Sequence, residues 1–156
     1  MVVTAISPWI VASDADGLLS FLTDVLGAQE VGRAPGPDGR VGHAETVVGG
    51  TTLVVMDAHE GWTPQPTLLR VRVDDLEVVV AATEAAGGRV VTPPTPLPQG
   101  VVGARVLDPW GNLWWLEQQV DDVPVDELLR RLSDADAVTV VAAYESSLDT
   151  EMRRRA

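Results

Sequence analysis

Apolar and polar positions along the chain repeat one order twice. Ser7-Pro8-Trp9-Ile10-Val11-Ala12-Ser13-Asp14 reads as a strand running into a turn. Leu68-Leu69-Arg70-Val71-Arg72-Val73-Asp74-Asp75 reads the same way 61 positions later. Each is followed by a helical pattern, Asp16 to Leu26 and Leu76 to Ala86. In the first, Leu18, Leu19, Leu22, Val25 and Leu26 keep the spacing of one apolar helix face. Gly27 and Gly87 stand where each helix is expected to stop. A short strand follows in each half, Gln29 to Arg33 and Arg89 to Thr92. Next come Ala34 to Gly39 and Pro93 to Gly100, whose prolines and glycines predict loops. His43 to Val48 turns at Gly49-Gly50 into Thr52 to Met56, and Ala104 to Leu107 turns at Asp108 to Gly111 into Asn112 to Gln118. The order βαβββ thus occurs twice, joined by a linker near Asp57 to Thr67.

The expected fold class is α+β: two βαβββ modules forming a curved mixed sheet around a cavity, plus a C-terminal helical tail. Residues 1–119 form the expected domain, with modules at 4–57 and 67–119, and 120–156 form the tail. Pro124 and Asp126-Glu127 open a helix that Arg130-Arg131 close, in accord with the helix dipole. A second helix is expected over Ala135 to Arg155. Its row Val138, Val141, Ala142, Tyr144 and Leu148 would dock on its own domain or on a second subunit.

Composition narrows the chemistry. The 156 residues contain no cysteine, so disulfides, thiolate catalysis and cysteine-bound zinc are excluded. All 11 basic residues are arginine, which excludes a lysine Schiff base. A net charge of −12 disfavours a nucleic-acid partner. No apolar run is long enough to cross a bilayer, and Met1 to Ile6 lacks the start of a signal peptide, so a cytoplasmic protein is expected.

Four fragments carry a family resemblance: Phe21-Leu22-Thr23-Asp24-Val25-Leu26-Gly27-Ala28, Pro37-Asp38-Gly39 with His43-Ala44-Glu45, Val71-Arg72-Val73-Asp74-Asp75, and Asp108-Pro109-Trp110-Gly111-Asn112. In this order, over about Ile6 to Gln119, they resemble the vicinal oxygen chelate superfamily of glyoxalases, bleomycin-resistance proteins and extradiol dioxygenases. Leu22 departs from it, since relatives often carry tyrosine there. The resemblance implies the paired-module fold and, commonly, a homodimer. Metal-dependent members carry one ligand in each of four strands, and those positions fall here on Ser7, Val54, Leu68 and Trp115. None is an imidazole or carboxylate, so no metal and no other cofactor is expected.

Strand alternation then names the side chains facing the expected cavity: Trp9, His43, Glu45, Met56, Arg70, Arg72, Arg105, Trp115 and Glu117. Trp114, beside Trp115, would face the core. Indole rings can stack on a flat ligand or cover a cation, and arginine can grip a carboxylate. The same groups have structural alternatives: tryptophans that fill the cavity, arginines paired with Glu45 and Glu117, and a His43–Glu45 hydrogen bond. Trp62, in the linker, is a lid or a dimer contact. The expected function is metal-independent binding of a small organic molecule, as in drug-sequestering resistance members. The alternative is a metal-free lyase, isomerase or cyclase using His43 or Glu45 as acid or base.

Overall fold

The structure is a computed structural model, and it describes residues 3–155. Met1, Val2 and Ala156, the outer ends of the expected domain and tail, lie outside the described residues. The chain divides into two compact units, residues 3–67 with Pro109–Asn112, and Leu68–Asp108 with residues 113–155.

The first unit holds β1 (Trp9–Ala12), α1 (Ala15–Leu26), β2 (Gln29–Pro35), β3 (Val41–Val48) and β4 (Thr51–Asp57). Its four strands form a mixed sheet in the order β1-β4-β3-β2, with β1 parallel to β4 and the other pairs antiparallel. Ile10, Ala12, Ala44, Leu53 and Val55 alternate onto one side and are buried, as are Leu18, Leu19, Phe21 and Leu22 of α1. Each fully buried leucine of this kind contributes roughly 1.5–3 kcal/mol. Asp14 caps α1 by accepting from the Gly17 amide at 3.0 Å. The predicted hairpin turns at Gly49-Gly50, both at positive φ, which is inexpensive only for glycine.

The second unit repeats this with β5 (Leu68–Arg72), α2 (Leu76–Ala85), β6 (Arg89–Leu97), β7 (Val101–Leu107) and β8 (Leu113–Gln119). The sheet order β5-β8-β7-β6 matches the first, again with one parallel pair. Asp75 caps α2 as Asp14 caps α1. The repeat reaches single atoms. Asp57 Oδ1 accepts from the Ala15 amide at 3.0 Å, and Gln118 Oε1 accepts from the Leu76 amide at 3.0 Å. In each unit the last strand thereby satisfies the first free N–H of the helix. Asp57 is further held by Arg40 Nη2 at 2.6 Å and the Val41 amide at 2.8 Å.

Two expected loops begin as strand and turn only at 36–39 and 98–100. β2 continues through Ala34 to Pro35, and β6 runs through Pro93, Pro94 and Pro96 to Leu97. Both are edge strands of their sheets, so an imino nitrogen that cannot donate leaves no neighbour unpaired. The pairing of β6 slips between Thr92 and Thr95, which absorbs the two adjacent prolines.

The tail forms α3 (Val125–Leu132) and α4 (Ala135–Arg155), at the expected boundaries. α4 packs along β6 of its own chain. Its inward residues are Val141, Tyr144, Ser147, Leu148 and Glu151, with Tyr144 and Glu151 buried. Val138 and Ala142, expected in that row, are exposed. Polar partners on β6 and β7 select the face that docks, as the site geometry shows. Among the described residues no helix is long and apolar enough to cross a membrane.

Candidate functional site

On the first sheet, the side away from the Ile10 and Val55 row carries Trp9, His43, Glu45, Val54 and Met56. The register sets Trp9 beside Val54 and Val54 beside Glu45. Trp9 is 55% exposed, and its ring meets His43 edge-on with centroids 5.6 Å apart. His43 Nε2 lies 3.2 Å from Glu45 Oε1, and both side chains are nearly half exposed. Met56 is buried, at 6% exposure. The face therefore presents an indole, an imidazole and a carboxylate together, with an apolar floor.

On the second sheet, Arg70 pairs in register with Trp115, Arg72 with Glu117, and Arg105 with Trp115. Arg70 and Arg72 are exposed. Arg70 Nε lies 3.8 Å from Glu117 Oε2, a loose pair on a nearly buried carboxylate. Trp114 points to the opposite, buried side, where its Nε1 donates to Asp108 Oδ2 at 3.0 Å.

Arg105 has no exposed surface, and α4 is the reason. Its guanidinium lies against two rings that are tilted to each other, 4.1 Å from the Trp115 centroid and 3.9 Å from that of Tyr144. Nη1 donates to the Tyr144 carbonyl at 2.7 Å and to Thr92 Oγ1 at 3.3 Å, and Nη2 donates to Glu145 Oε1 at 3.0 Å. Arg105 Nε is buried there without a hydrogen-bond partner, while the buried Trp115 indole and Tyr144 phenol face each other. Burial pushes the Tyr144 phenol up to about 12, although the Arg105 charge pulls the other way. Gly103 makes room for the ring, since a Cβ there would stand 2.5 Å from Tyr144 Oη.

Further along α4, Thr92 Oγ1 and Ser147 Oγ share a hydrogen bond at 2.6 Å, and Arg89 Nη2 donates to Glu151 Oε2 at 2.7 Å. Burial raises the Glu151 carboxyl, but bonds from Arg89 and Arg155 outweigh this and hold it below the usual range. Sequence reasoning named Arg105 and Trp115 but not Thr92, Gly103 or Glu145. The available signal was a lone arginine within the apolar strand Val101 to Leu107, since a buried cation needs partners. Trp62 is exposed and stacks edge-on against His59, with centroids 4.6 Å apart.

A divalent ion, which the family resemblance would suggest, does not suit the side chains present. Among the described residues no three His, Cys, Asp or Glu side chains converge. Ser7, Val54, Leu68 and Trp115, at the positions where ligands would be sought, offer a hydroxyl, two alkyl groups and an indole.

Comparison with known proteins agrees with this architecture. TioX from Micromonospora sp. ML1 superposes with a TM-score of 0.62 at 24% identity, covering 76% of this chain and all of its own. FosX, a fosfomycin resistance protein from Listeria monocytogenes whose structure was solved with Mn(II) and sulfate, gives 0.60 at 14% identity, covering 84% and 98%. These likenesses concern the fold. An uncharacterized protein of Mycobacterium tuberculosis H37Rv is 32% identical over 143 residues, spanning 83% of this chain and 82% of that protein. The profile of the Glyoxalase/Bleomycin resistance protein/Dioxygenase superfamily matches residues 3–116. Together with the doubled βαβββ order and the repeat that extends to Asp57 and Gln118, this match establishes that the chain belongs to that superfamily.

Proposed function

We propose that the chain binds a small organic molecule on the open face of its first sheet, without a metal ion. The observation that carries this reading is Trp9, which stands mostly exposed beside His43 and Glu45 on the side of the sheet away from the helix-facing row. An exposed indole offers a flat apolar surface, and the adjacent carboxylate and imidazole supply directional polar contacts. The donor set supports metal-free binding, since the positions available for chelation carry no competent ligands.

A panel of aromatic, cationic and carboxylate compounds tests this by tryptophan emission and thermal shift. The expected result is a saturable emission change and a raised Tm with at least one compound, both lost in Trp9→Ala. A panel without either signal, or binding indifferent to Trp9→Ala, removes the reading.

The His43–Glu45 contact supports a second reading, metal-free acid–base catalysis, because a carboxylate can orient an imidazole that moves a proton. Turnover that disappears in His43→Ala and is unaffected by a chelator would establish it.

A further inference from the structure

We infer that the covered face of the second sheet is a binding site for an aryl carboxylate, held closed by the chain's own Tyr144-Glu145 segment. The segment offers Arg105 three things at once: a phenol ring stacked on its guanidinium, a carbonyl on Nη1 and a carboxylate on Nη2. A planar ring joined to a carboxylate through a short linker offers the same groups in one small molecule. Arginine matches such a ligand because its planar fork can stack and hydrogen-bond together.

Two features mark α4 as displaceable. Of its 21 residues only Tyr144 and Glu151 are buried, Val141 and Leu148 are half-buried, and much of the remaining hold is polar: Arg105, Thr92–Ser147 and Arg89–Glu151. Docking also leaves Arg105 Nε buried and unpartnered, a donor that α4 does not satisfy. A free carboxylate, unconstrained by a helix backbone, can accept from it. The corresponding positions of the first sheet, where Glu45 stands in place of Arg105, have no covering helix in their own unit. The covering is therefore a property of the tail and not of the module. Any ligand must compete with Tyr144, so its apparent affinity falls by the fraction of chains whose face is open.

The test uses the full chain with para-hydroxyphenylpropionate as the probe and para-ethylphenol as the control lacking a carboxylate. Calorimetry reads affinity, and amide hydrogen exchange reads α4. The unaltered chain is expected to bind the probe weakly, with faster exchange over residues 135–155 when it does. Tyr144→Ala removes the competitor and should tighten binding by about tenfold or more, the inverse of the open fraction. Glu145→Gln leaves the ring in place on a half-exposed side chain and should tighten it by about threefold through weaker closure. The second variant decides if the first does not fold. The inference is overturned if neither variant binds more tightly than the unaltered chain. It is equally overturned if para-ethylphenol gains as much as the probe, which would mark simple filling of space. A gain that persists with Arg105→Lys added would also overturn it, because an ammonium cannot stack and fork at once.

Discussion

The two sheets carry their principal side chains at matching register positions, yet one face is open and the other closed. Glu45 sits beside Val54 on the first, and Arg105 sits beside Trp115 on the second. His43 and Gly103 each stand two residues earlier on their strands. Where the first sheet has an imidazole, the second has a bare backbone on which Tyr144 rests. Where the first has a half-exposed carboxylate, the second has a buried cation, which the Tyr144 ring and carbonyl and the Glu145 carboxylate of α4 cover. A duplicated scaffold has thus been differentiated by a few side chains and a tail, while the helix-facing sides stay alike down to Asp57 and Gln118.

The largest effect in breaking this contrast should come from Arg105→Ala. It removes the stacked cation and strands the groups around it, at about 3–5 kcal/mol. Chemical denaturation should show that loss, with exchange increasing across α4 while the amides of β3 and β4 are unchanged. Gly103→Ala comes next. Its Cβ would collide with Tyr144, so a loss of about 1–3 kcal/mol is expected from overpacking. His43→Ala, at the matching place on the open face, should change stability by less than about 0.5 kcal/mol in the same assay.

Alkaline titration sharpens the contrast further. The Tyr144 phenol is raised from 10.0 to about 12, so its contribution is complete below pH 10 and declines as pH rises toward 12. The decline is worth on the order of 2 kcal/mol, and Tyr144→Phe should abolish that part of the pH dependence. At the acid end the sign reverses. Glu151 is held below its ordinary 4.5, so its contribution is present above that value and fades as pH falls through its lowered pKa. A smaller, earlier loosening of α4 should follow, visible in exchange at residues 135–155 and absent in Glu151→Gln. The smallest expected effect on stability is Trp9→Ala, within about 0.5 kcal/mol, because an exposed indole leaves no cavity.

Much of this was legible in the residues. The repeat, the sheet sides and the tail helices follow from apolar spacing, and Trp114 and Trp115 divide between core and opposite face as alternation requires. Alternation tells which side a residue takes but not what lies over it. It put Trp9 and Arg105 in one class, although one is mostly exposed and the other has no exposed surface. α4 was hard to place because it docks through Tyr144, Ser147 and Glu151, whose polar partners on β6 and β7 leave no mark in apolar periodicity. Pro93 to Pro96 predict a loop in a window of sequence but lie in a strand, because edge position is a property of the whole sheet.

Those prolines also bear on how the molecule avoids its own kind. An edge strand normally offers a row of free amide hydrogens on which a stray chain can template itself, the first step toward fibrils. β6 lacks that hydrogen at positions 93, 94 and 96, and β2 ends on Pro35 after a bulged stretch bearing Glu30 and Arg33. Each sheet is thereby blunted on its β2 or β6 side, and Val90 and Val91 can remain in an extended strand without seeding growth from that edge.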